Sequence, residues 1–339
     1  MRITSGIMMR QYNRRLNTII SDLNKANETI TTRRKFTKAS ENPSESVKSQ
    51  QLRREILQNE NYQTNLRDVQ SKFDSIESNM MNISKIGETA YVDILKVING
   101  TNSIDERKIV AAELREMQES IIMNCNSQFN DQYIFGGSST KEAPFAIDKT
   151  TGAVTFRGIN VNTTDPTELA TLKKMAEENT YIDLGFGMTF DSSDPNNPNT
   201  IKNNSAYNTA MPGISFLGYG HDSSGNSNNL VVHLGEIADM LESPTYSPEN
   251  IEPLSKKLDV QRKDLLIGIT KLGSNTKFLD YTEKRLEDNE YNINEKIENT
   301  EFVDLAEAIS AFKMQDMTYR AALKTGMDIL SVSFIDFMK

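Results

Sequence analysis

The sequence is poor in the residues on which most catalytic and metal-binding chemistry depends. Its 339 residues include no tryptophan, one cysteine and two histidines. Cys125 alone cannot form an intramolecular disulfide. Two histidines, His221 and His233, leave few possibilities for a histidine metal site or a Ser-His-Asp triad. Neither HExxH nor GxxxxGK[ST] occurs. The composition therefore predicts no enzyme, no metal and no cofactor.

Long apolar runs and an excess of positive charge are also missing. No run of about 18 apolar residues exists, so no membrane insertion is predicted. Residues 1–9 lack an apolar h-region, so no ordinary signal peptide is expected, and the cytosol is the default location unless another export route exists. The net charge of −9, from 38 basic and 47 acidic side chains, argues against nucleic acid as a partner.

Proline is absent from two long stretches of the chain. Pro43 stands alone, the other eight prolines lie within residues 144–253, and residues 44–143 and 254–339 have none. Proline breaks helix interiors, so the sequence predicts two long helical arms on either side of a middle segment that is not a long helix. The predicted fold class is mainly α: a long coiled-coil helical rod formed by the N- and C-terminal arms, with an inserted α+β, β-rich domain.

The two arms carry apolar residues at heptad spacing. In the first arm, steps of mostly three and four residues join Leu66, Val69, Phe73, Ile76, Met80, Ile83, Ala90, Ile94 and Val97. In the second arm, steps of seven residues join Ile251, Leu258, Leu265, Leu272, Leu279, Leu286 and Ile293. Such stripes bury themselves against a partner helix. Another helix is predicted after Gly100, with Ser103 or Asp105 as its N-cap.

Both chain ends also have amphipathic stripes. The N-terminal stripe consists of Leu16, Ile19, Leu23, Ala26 and Ile30. The C-terminal stripe consists of Leu305, Ile309, Phe312, Tyr319, Leu323, Leu330 and Phe337. Residues 1–40 have nine basic and two acidic side chains, whereas residues 300–339 have four basic and six acidic ones, which favours pairing of the ends. Because short isolated helices are marginal in water, both ends should be disordered alone and ordered in a complex.

The middle of the chain has the patterns of a small α+β domain. Apolar alternation over residues 145–156 around a glycine-containing turn predicts a hairpin. Asp165-Pro166-Thr167-Glu168 predicts a helix start. Alternation over residues 182–190 predicts one half-buried strand, and nine asparagines within residues 196–229 predict long loops. With six basic and thirteen acidic side chains, residues 141–245 should form a compact acidic insertion.

The start of the chain resembles a known family. The opening Met1-Arg2-Ile3-Thr4, residues 31–39 and above all the turn Ser-Glu-Asn-Pro at residues 40–43 are similar to the bacterial flagellar hook–filament junction proteins. These are the third hook-associated proteins, within the flagellin superfamily. Flagellins resemble this region too but typically have an Asp-Asp-Ala-Ala run there, so Pro43 favours the junction proteins.

Three later motifs resemble the same family in the expected order. Tyr-Ile-Phe-Gly-Gly at residues 133–137 is similar to the strand that closes the N-terminal helical part. Gly-Ser-Asn at residues 273–275 is similar to the turn before the long C-terminal helix. Gln315, residues 319–323 and residues 329–336 resemble the junction-protein C-terminus. The resemblance covers the two arms, about 230 residues, and leaves out the insertion.

The resemblance implies a structural role outside the cell. Such proteins are exported unfolded by the flagellar type III system, without a cleaved signal peptide. They assemble with copies of themselves as a ring between the first hook-associated protein and flagellin. The resemblance also implies an export chaperone that shields the C-terminal helix.

This interpretation assigns roles to parts of the chain. Residues 1–40 and 300–339 become terminal helices, a coiled coil in the assembly and disordered in the monomer. Residues 41–140 and 246–299 become the helical rod, and residues 141–245 the outer domain. Asn42 and Pro43 form a predicted hinge turn. The predicted assembly contacts are Leu16, Leu23, Ile30, Leu305, Phe312, Tyr319, Leu323 and Leu330.

Three other functions stay open at this point. The chain could be a flagellin filament subunit with the same architecture. The insertion could house an enzyme that uses His221 with Asp222, or His233 with Glu236, as acid and base. The third alternative is a coiled-coil translocator or effector of a related secretion system. The predicted strands and the Tyr-Ile-Phe-Gly-Gly segment argue against it.

Overall fold

The structure, a computed structural model, describes residues 5–100, 103–148, 151–191, 200–202 and 205–337. Within them the chain forms eight helices: α1 (Ser5–Thr32), α2 (Pro43–Asn99), α3 (Ile104–Cys125), α4 (Pro166–Ala176), α5 (Ile214–Leu217), α6 (Leu230–Glu242), α7 (Pro248–Glu301) and α8 (Leu305–Phe337). The predicted fold class, mainly helical with a small β-containing region, is confirmed. No described helix has both the length and the apolarity of a membrane span.

The strands are short and belong to four small sheets. Three strands form one antiparallel sheet in the order β3-β4-β5, and the other strands pair as β1-β2, β6-β9 and β7-β8. Their bounds are β1 (Gln128–Phe129), β2 (Gln132–Tyr133), β3 (Phe145–Ile147), β4 (Val154–Phe156), β5 (Ile159–Asn160), β6 (Tyr181–Ile182), β7 (Phe190–Asp191), β8 (Thr200–Ile201) and β9 (Tyr207–Asn208).

The chain divides into two compact units. One consists of residues 1–60 and 287–339, and the other of residues 61–286. The helices α2 and α7 each contribute residues to both units. The three-part division expected from the sequence, with boundaries near residues 40, 140, 245 and 299, stays a prediction.

Helices α2 and α7 supply the core of the 61–286 unit. They run antiparallel, because the Gln70 amide donates to Glu283 Oε2 at 3.1 Å while Arg262 lies 5.2 Å from the Tyr91 ring centroid. The heptad positions predicted in this unit are all buried, with no more than 4% of any side chain exposed: Leu66, Val69, Phe73, Ile76, Met80, Ile83, Ala90, Ile94, Val97, Ile251, Leu258, Leu265, Leu272, Leu279 and Leu286. The first predicted stripe, and the second as far as Leu286, are therefore confirmed as core, whereas Ile293 is half-buried and belongs to the other unit.

Helix α3 begins at the predicted cap and packs on α6. Ser103 Oγ accepts the N–H of Glu106, and Glu106 Oε2 accepts the N–H of Ser103, which together form a capping box. Across the contact with α6, the buried Gln118 amide donates to the Val231 carbonyl at 2.6 Å. This hydrogen bond and the apolar face of α3 hold α6 against the core.

Two elements of the insertion confirm the sequence predictions. Strands β3 and β4 form the hairpin, with Phe145 opposite Phe156 and their ring centroids 4.9 Å apart. Helix α4 has Asp165 as its N-cap, whose carboxylate accepts the Thr167 N–H at 2.8 Å, and Pro166 as its first residue. Local turn and cap chemistry was sufficient to locate both.

The single strand predicted over residues 182–190 is wrong. The segment instead contains the end of β6 and the start of β7, which pair with β9 and β8 in different sheets. Between them Gly185 and Gly187 have φ values of +82° and +73°, which take the backbone out of the extended conformation. The alternating apolar residues therefore lie on a looped segment, in which Leu184 is buried and Phe186 stacks under Arg285.

The turn implied by Gly-Ser-Asn at residues 273–275 is also absent. Helix α7 runs without a break from Pro248 to Glu301, so these residues are in its interior. The buried Leu272 and Leu279 flank them. Tertiary burial of the two leucines outweighs the weak helix propensity of the Gly-Ser-Asn segment, which is about 1 kcal/mol unfavourable for the glycine.

Candidate assembly surface of the terminal helices

Helices α1 and α8 pack antiparallel within the unit of residues 1–60 and 287–339. The Tyr12 hydroxyl near the start of α1 donates to the Ala322 carbonyl at 3.0 Å, far along α8. Just beyond the other end of α1, the Val303 N–H donates to the Arg33 carbonyl at 3.0 Å. The predicted pairing of the two chain ends is therefore present in the structure.

Each helix presents one stripe to the other. On α1 the half-buried positions include the whole predicted stripe and Tyr12: Tyr12, Leu16, Ile19, Leu23, Ala26 and Ile30. On α8 the buried and half-buried positions recur at steps of four and three: Ala308, Phe312, Gln315, Tyr319, Ala322 and Gly326. Three of these six positions are small residues and one is a glutamine, so the α8 stripe is less apolar than the one expected from its leucines.

Gly326 allows the closest approach of the two helices. A Cβ atom built at this position would lie 2.1 Å from the Tyr12 hydroxyl oxygen. Any side chain there would displace the tyrosine and remove its hydrogen bond to Ala322. The glycine therefore leaves the space that Tyr12 occupies in the helix pair, although glycine weakens a helix interior by about 1 kcal/mol.

Replacing Gly326 by valine should weaken the α1–α8 pair. Overpacking of a tight contact typically costs about 1–3 kcal/mol, and the lost hydrogen bond adds about 1 kcal/mol. We expect the variant to lose its helical circular-dichroism signal at a lower urea concentration than the unsubstituted chain. The control is Gly273→Val, because a Cβ at Gly273 would meet no atom within 4 Å. Equal urea midpoints of the two variants would contradict the role of this contact.

The predicted assembly residues fall into three groups. Leu16, Leu23 and Ile30 lie on the α1 stripe, and Phe312 and Tyr319 lie on the α8 stripe. Leu305 and Leu323 lie beside that stripe, each 39% exposed. Leu330 is in α8, but its side chain is outside the described residues. The assembly roles of all eight residues stay predictions, because their places in a single chain do not test contacts between chains.

The sequence prediction missed Tyr12, Ala308 and Gly326. A search for large apolar residues at helical spacing does not select alanine or glycine, although both permit close helix contact. The signal that was available is the series of small residues Ala308, Ala322 and Gly326, whose separations of fourteen and four residues keep one face of a helix.

The helix pair leaves apolar side chains exposed. Met314 and Met317 on α8 are about 70% exposed, and large parts of other apolar side chains also face solvent: Ile7, Met8, Leu305, Ile309, Leu323 and Met327. Scattered exposed apolar residues are normal, but a concentration of them on two helices is typical of a surface that binds another protein. We call this exposed set, together with the two paired stripes, the terminal-helix surface.

The segment between α1 and α2 is fixed to the junction of α7 and α8. The Lys35 N–H donates to the Glu301 carbonyl at 2.7 Å, and the Lys35 ammonium donates to the Asn299 carbonyl at 2.7 Å. Arg34 pairs with Phe302 through a β-bridge, and its guanidinium lies 5.9 Å from the Phe302 ring centroid. Main-chain bonds thus hold the two connectors side by side.

Glu301 is the centre of the polar contacts in this region. Its carboxylate is buried, and it accepts hydrogen bonds from the Arg53 guanidinium at 2.7 Å on each oxygen and from the Ser49 hydroxyl at 2.6 Å. The bidentate bond from Arg53, helped by Ser49 and by the charges of Arg53 and Arg34, holds the pKa of Glu301 below its usual value. Glu301 therefore clamps the end of α7 to the start of α2.

Replacing Glu301 by glutamine should destabilise the chain in a pH-dependent way. A carboxylate with a lowered folded-state pKa stabilises above its unfolded pKa of about 4.3, and this stability is lost as pH falls through the folded-state value. Because Arg53 is half exposed, we expect a loss of about 1–2 kcal/mol at pH 7, from urea unfolding followed by circular dichroism.

The control for this clamp is Glu298→Gln, an exposed glutamate one turn earlier on α7. Its unfolding free energy should equal that of the unsubstituted chain at every pH. For Glu301→Gln the loss should shrink toward zero in strong acid. A loss that stays constant between pH 7 and pH 3 would show that the charge of Glu301 is not what stabilises the region.

Asn42 and Pro43 form the start of α2. The Asn42 side-chain oxygen accepts the Glu45 N–H at 3.2 Å, and the Asn42 carbonyl accepts the Ser46 N–H at 3.0 Å. Pro43 is the first helical residue, where its missing N–H has no cost. Upstream, the Glu41 carboxylate accepts the N–H groups of Thr37 and Lys38. The geometry is that of a capped helix start, and a hinge role for this turn stays a prediction.

The histidines of the insertion have structural surroundings. His233 is fully buried, with Nε2 2.9 Å from the Leu254 carbonyl and Nδ1 3.1 Å from Glu236 Oε2. Asp222, next to His221, pairs with the Lys257 ammonium at 2.6 Å, and this bond lowers the pKa of Asp222 to about 2. Both carboxylates therefore serve to hold the 222–229 loop and α6 against α7. Among the described residues, no group of three His, Cys, Asp or Glu side chains could hold a metal ion.

Comparison with protein families gives one match over the N-terminal arm. Residues 3–140 match the family described as the bacterial flagellin N-terminal helical region. The match includes α1, α2, α3 and the residues that follow up to the insertion. This part of the chain is therefore similar in sequence to the N-terminal helical region of bacterial flagellin.

Whole-chain comparisons agree with this match. The chain is 23% identical over 342 residues to flagellar hook-associated protein 3 of Salmonella typhimurium, covering 98% of each. A flagellar hook-associated protein structure from Vibrio parahaemolyticus superposes with a TM-score of 0.60 at 17% identity, covering 77% of this chain and all of that one. The structure of hook-associated protein 3 from Legionella pneumophila superposes with a TM-score of 0.55 at 12% identity, covering 74% of this chain and 98% of that one. The resemblance to the junction proteins, drawn from the terminal motifs, is confirmed.

Proposed function

We propose that the chain is a structural adaptor of the bacterial flagellum. It joins the hook, through the first hook-associated protein, to the flagellin filament, and assembles as a ring outside the cell. The observation that carries this proposal is the terminal-helix surface, a paired α1 and α8 that still exposes many apolar side chains. A helix pair of this kind becomes more stable when its exposed apolar side chains are buried against further helices, as happens when several copies meet.

The proposal assigns different duties to the two units. The terminal-helix surface contacts neighbouring subunits, while residues 61–286 have a complete apolar core of their own and present the insertion. Buried side chains, rather than catalytic groups, carry the function. Similarity to Salmonella hook-associated protein 3 over nearly the whole chain supports this assignment.

Export and location follow from the same proposal. The chain would leave the cell unfolded through the flagellar export channel, without a cleaved signal peptide. An export chaperone would cover the apolar side chains of α8 before secretion, since they include the exposed Met314, Met317 and Met327. Binding of such a chaperone is expected to be lost with α8 and retained when the insertion is altered.

The terminal helices should be dynamic in the isolated chain. Two helices that bury one narrow stripe, with partly exposed side chains on both, have little to resist local opening. We expect amides of residues 5–32 and 305–337 to exchange within seconds, while those of α2 and α7 within residues 61–286 exchange far more slowly. Hydrogen exchange with mass spectrometry measures both in one sample. Slow exchange of the terminal helices would show that they already pack stably in the monomer.

A flagellin filament subunit is the second candidate function. It is favoured by the match of residues 3–140 to the flagellin N-terminal helical region. Polymerisation of the purified full chain distinguishes the two functions. A junction adaptor should form at most short rings or small oligomers under conditions in which flagellin polymerises. Long filaments from this chain alone would contradict the adaptor function and support the flagellin one.

A further inference from the structure

The exposed face of α3 bears an apolar groove with an acidic rim. The groove has a volume of about 510 Å³ and lies within the 61–286 unit. Its apolar residues are Ile86 of α2 and Ile109, Ala112 and Met117 of α3, and its rim is formed by Glu113, Glu116 and Ser120. Ile109 is 60% exposed. We call this feature the α3 groove.

Helix α7 has an exposed face with apolar and basic side chains in the same unit. Val260 and Ile267 are 56% and 66% exposed, and their separation of seven residues puts them on one face. Lys256, Lys263 and Lys271 are exposed and lie on that face at steps of seven and eight residues. Within α7, Lys256 also pairs with Glu252, and Lys263 also pairs with Asp259. Residues 254–280 contain six basic and three acidic side chains. We call Lys256, Val260, Lys263, Ile267 and Lys271 the α7 ridge.

The α3 groove and the α7 ridge present complementary kinds of side chain. The groove has no basic lining residue, whereas helix α3 as a whole has five acidic and three basic side chains. The ridge offers two branched apolar side chains about 10 Å apart, a spacing set by the helical rise. Lys263 and Lys271 flank Ile267. When Ile267 lies in the groove, their long side chains can reach the carboxylates on its rim.

We propose that the α7 ridge of one copy of this chain binds in the α3 groove of a second copy. The contact joins two different surfaces, so it is heterologous and extends from copy to copy, as a ring requires. A contact between the α3 grooves of two copies would place Glu113 and Glu116 of one copy against the same glutamates of the other, and these like charges would repel each other. This inference rests on the proposed function, because only an assembly of many copies uses such a contact.

Disulfide trapping of the full-length chain tests the contact. Ala112→Cys places a thiol in the groove, and Ile267→Cys places one on the ridge. The native Cys125 is buried, so it does not interfere. Oxidation of the double variant at high protein concentration should give a ladder of dimers, trimers and larger species on a non-reducing gel. Each single variant can give dimers only, and a double variant that yields no species beyond those dimers would overturn the proposal.

Charge reversal provides a second, independent test. Glu113→Lys with Glu116→Lys, or Lys263→Glu with Lys271→Glu, should each reduce the trapped ladder at least tenfold. Combining all four substitutions should restore it, because the charges match again. These residues are exposed, and the Lys263–Asp259 pair that one reversal removes lies on the surface of α7, so the unfolding midpoint should stay within a few degrees in every variant. A ladder unaffected by either reversal, or not restored by the combination, would contradict the proposal.

The two proposals fail in different ways. If the ridge–groove contact is wrong but the adaptor function is right, the labelled chain lies at the hook–filament boundary and no ladder forms. If the adaptor function is wrong, the labelled chain is missing from that boundary whatever the ladder shows. Another protein as the natural occupant of the groove would leave this chain without a ladder of its own, which overturns the second-copy assignment.

Discussion

A chain that ends after Asp304 should fold and yet leave hooks without filaments. The truncation removes α8, and with it one side of the α1–α8 contact and most of the exposed apolar side chains. The core of residues 61–286 is untouched, because α8 contributes nothing to that unit. In a strain that carries only the truncated chain, we expect motility to be lost and filaments per cell to fall at least a hundredfold.

The same preparation contains its own control. The unfolding transition of residues 61–286, followed by hydrogen exchange of α2 and α7, should match that of the intact chain. Loss of this protection would mean that the truncation fails through misfolding. Normal motility of the truncated strain, by contrast, would refute the assembly role of the terminal-helix surface.

Replacing Leu272 by alanine should cause a large loss of stability. Leu272 is fully buried in the stripe that packs on α2. Removing a leucine side chain from such a site costs about 2–5 kcal/mol, because the cavity collapses only in part. Urea unfolding of the full chain should show a midpoint shift with little change in the slope.

The matched control is Ile267→Ala on the same helix. Ile267 is 66% exposed, so its truncation should change the unfolding free energy by no more than about 0.5 kcal/mol. The contrast between two residues five positions apart tests the assignment of faces along α7. Similar losses for both variants would show that the helix packs in a different register.

Heptad periodicity predicted the core of residues 61–286 well. Ile251, Leu258, Leu265, Leu272 and Leu279 recur at seven residues, and a helix that keeps such a stripe over many turns has only one way to bury it. Local chemistry likewise gave Ser103 as one of two possible caps and located Asp165 as the start of α4. These features depend on nearby residues or on one strong period, so sequence alone defines them.

The features that were missed depend on close contact between distant segments. Gly326 and Ala308 matter because Tyr12 and the rest of α1 approach them, and no local pattern records that approach. The loop at Gly185 and Gly187 was taken as a strand because alternation of apolar residues does not report a positive φ. Glu301 became important only when Ser49 and Arg53, some 250 residues earlier, were brought to it.

The position of the labelled chain on the flagellum tests the adaptor function most directly. Glu142 is exposed at the start of the insertion, and Cys125 is buried, with burial raising the pKa of its thiol, so Glu142→Cys can be labelled selectively with gold. Electron microscopy should then show one narrow band of label at the hook–filament boundary. Label along the whole filament, or none on the flagellum, would contradict the account.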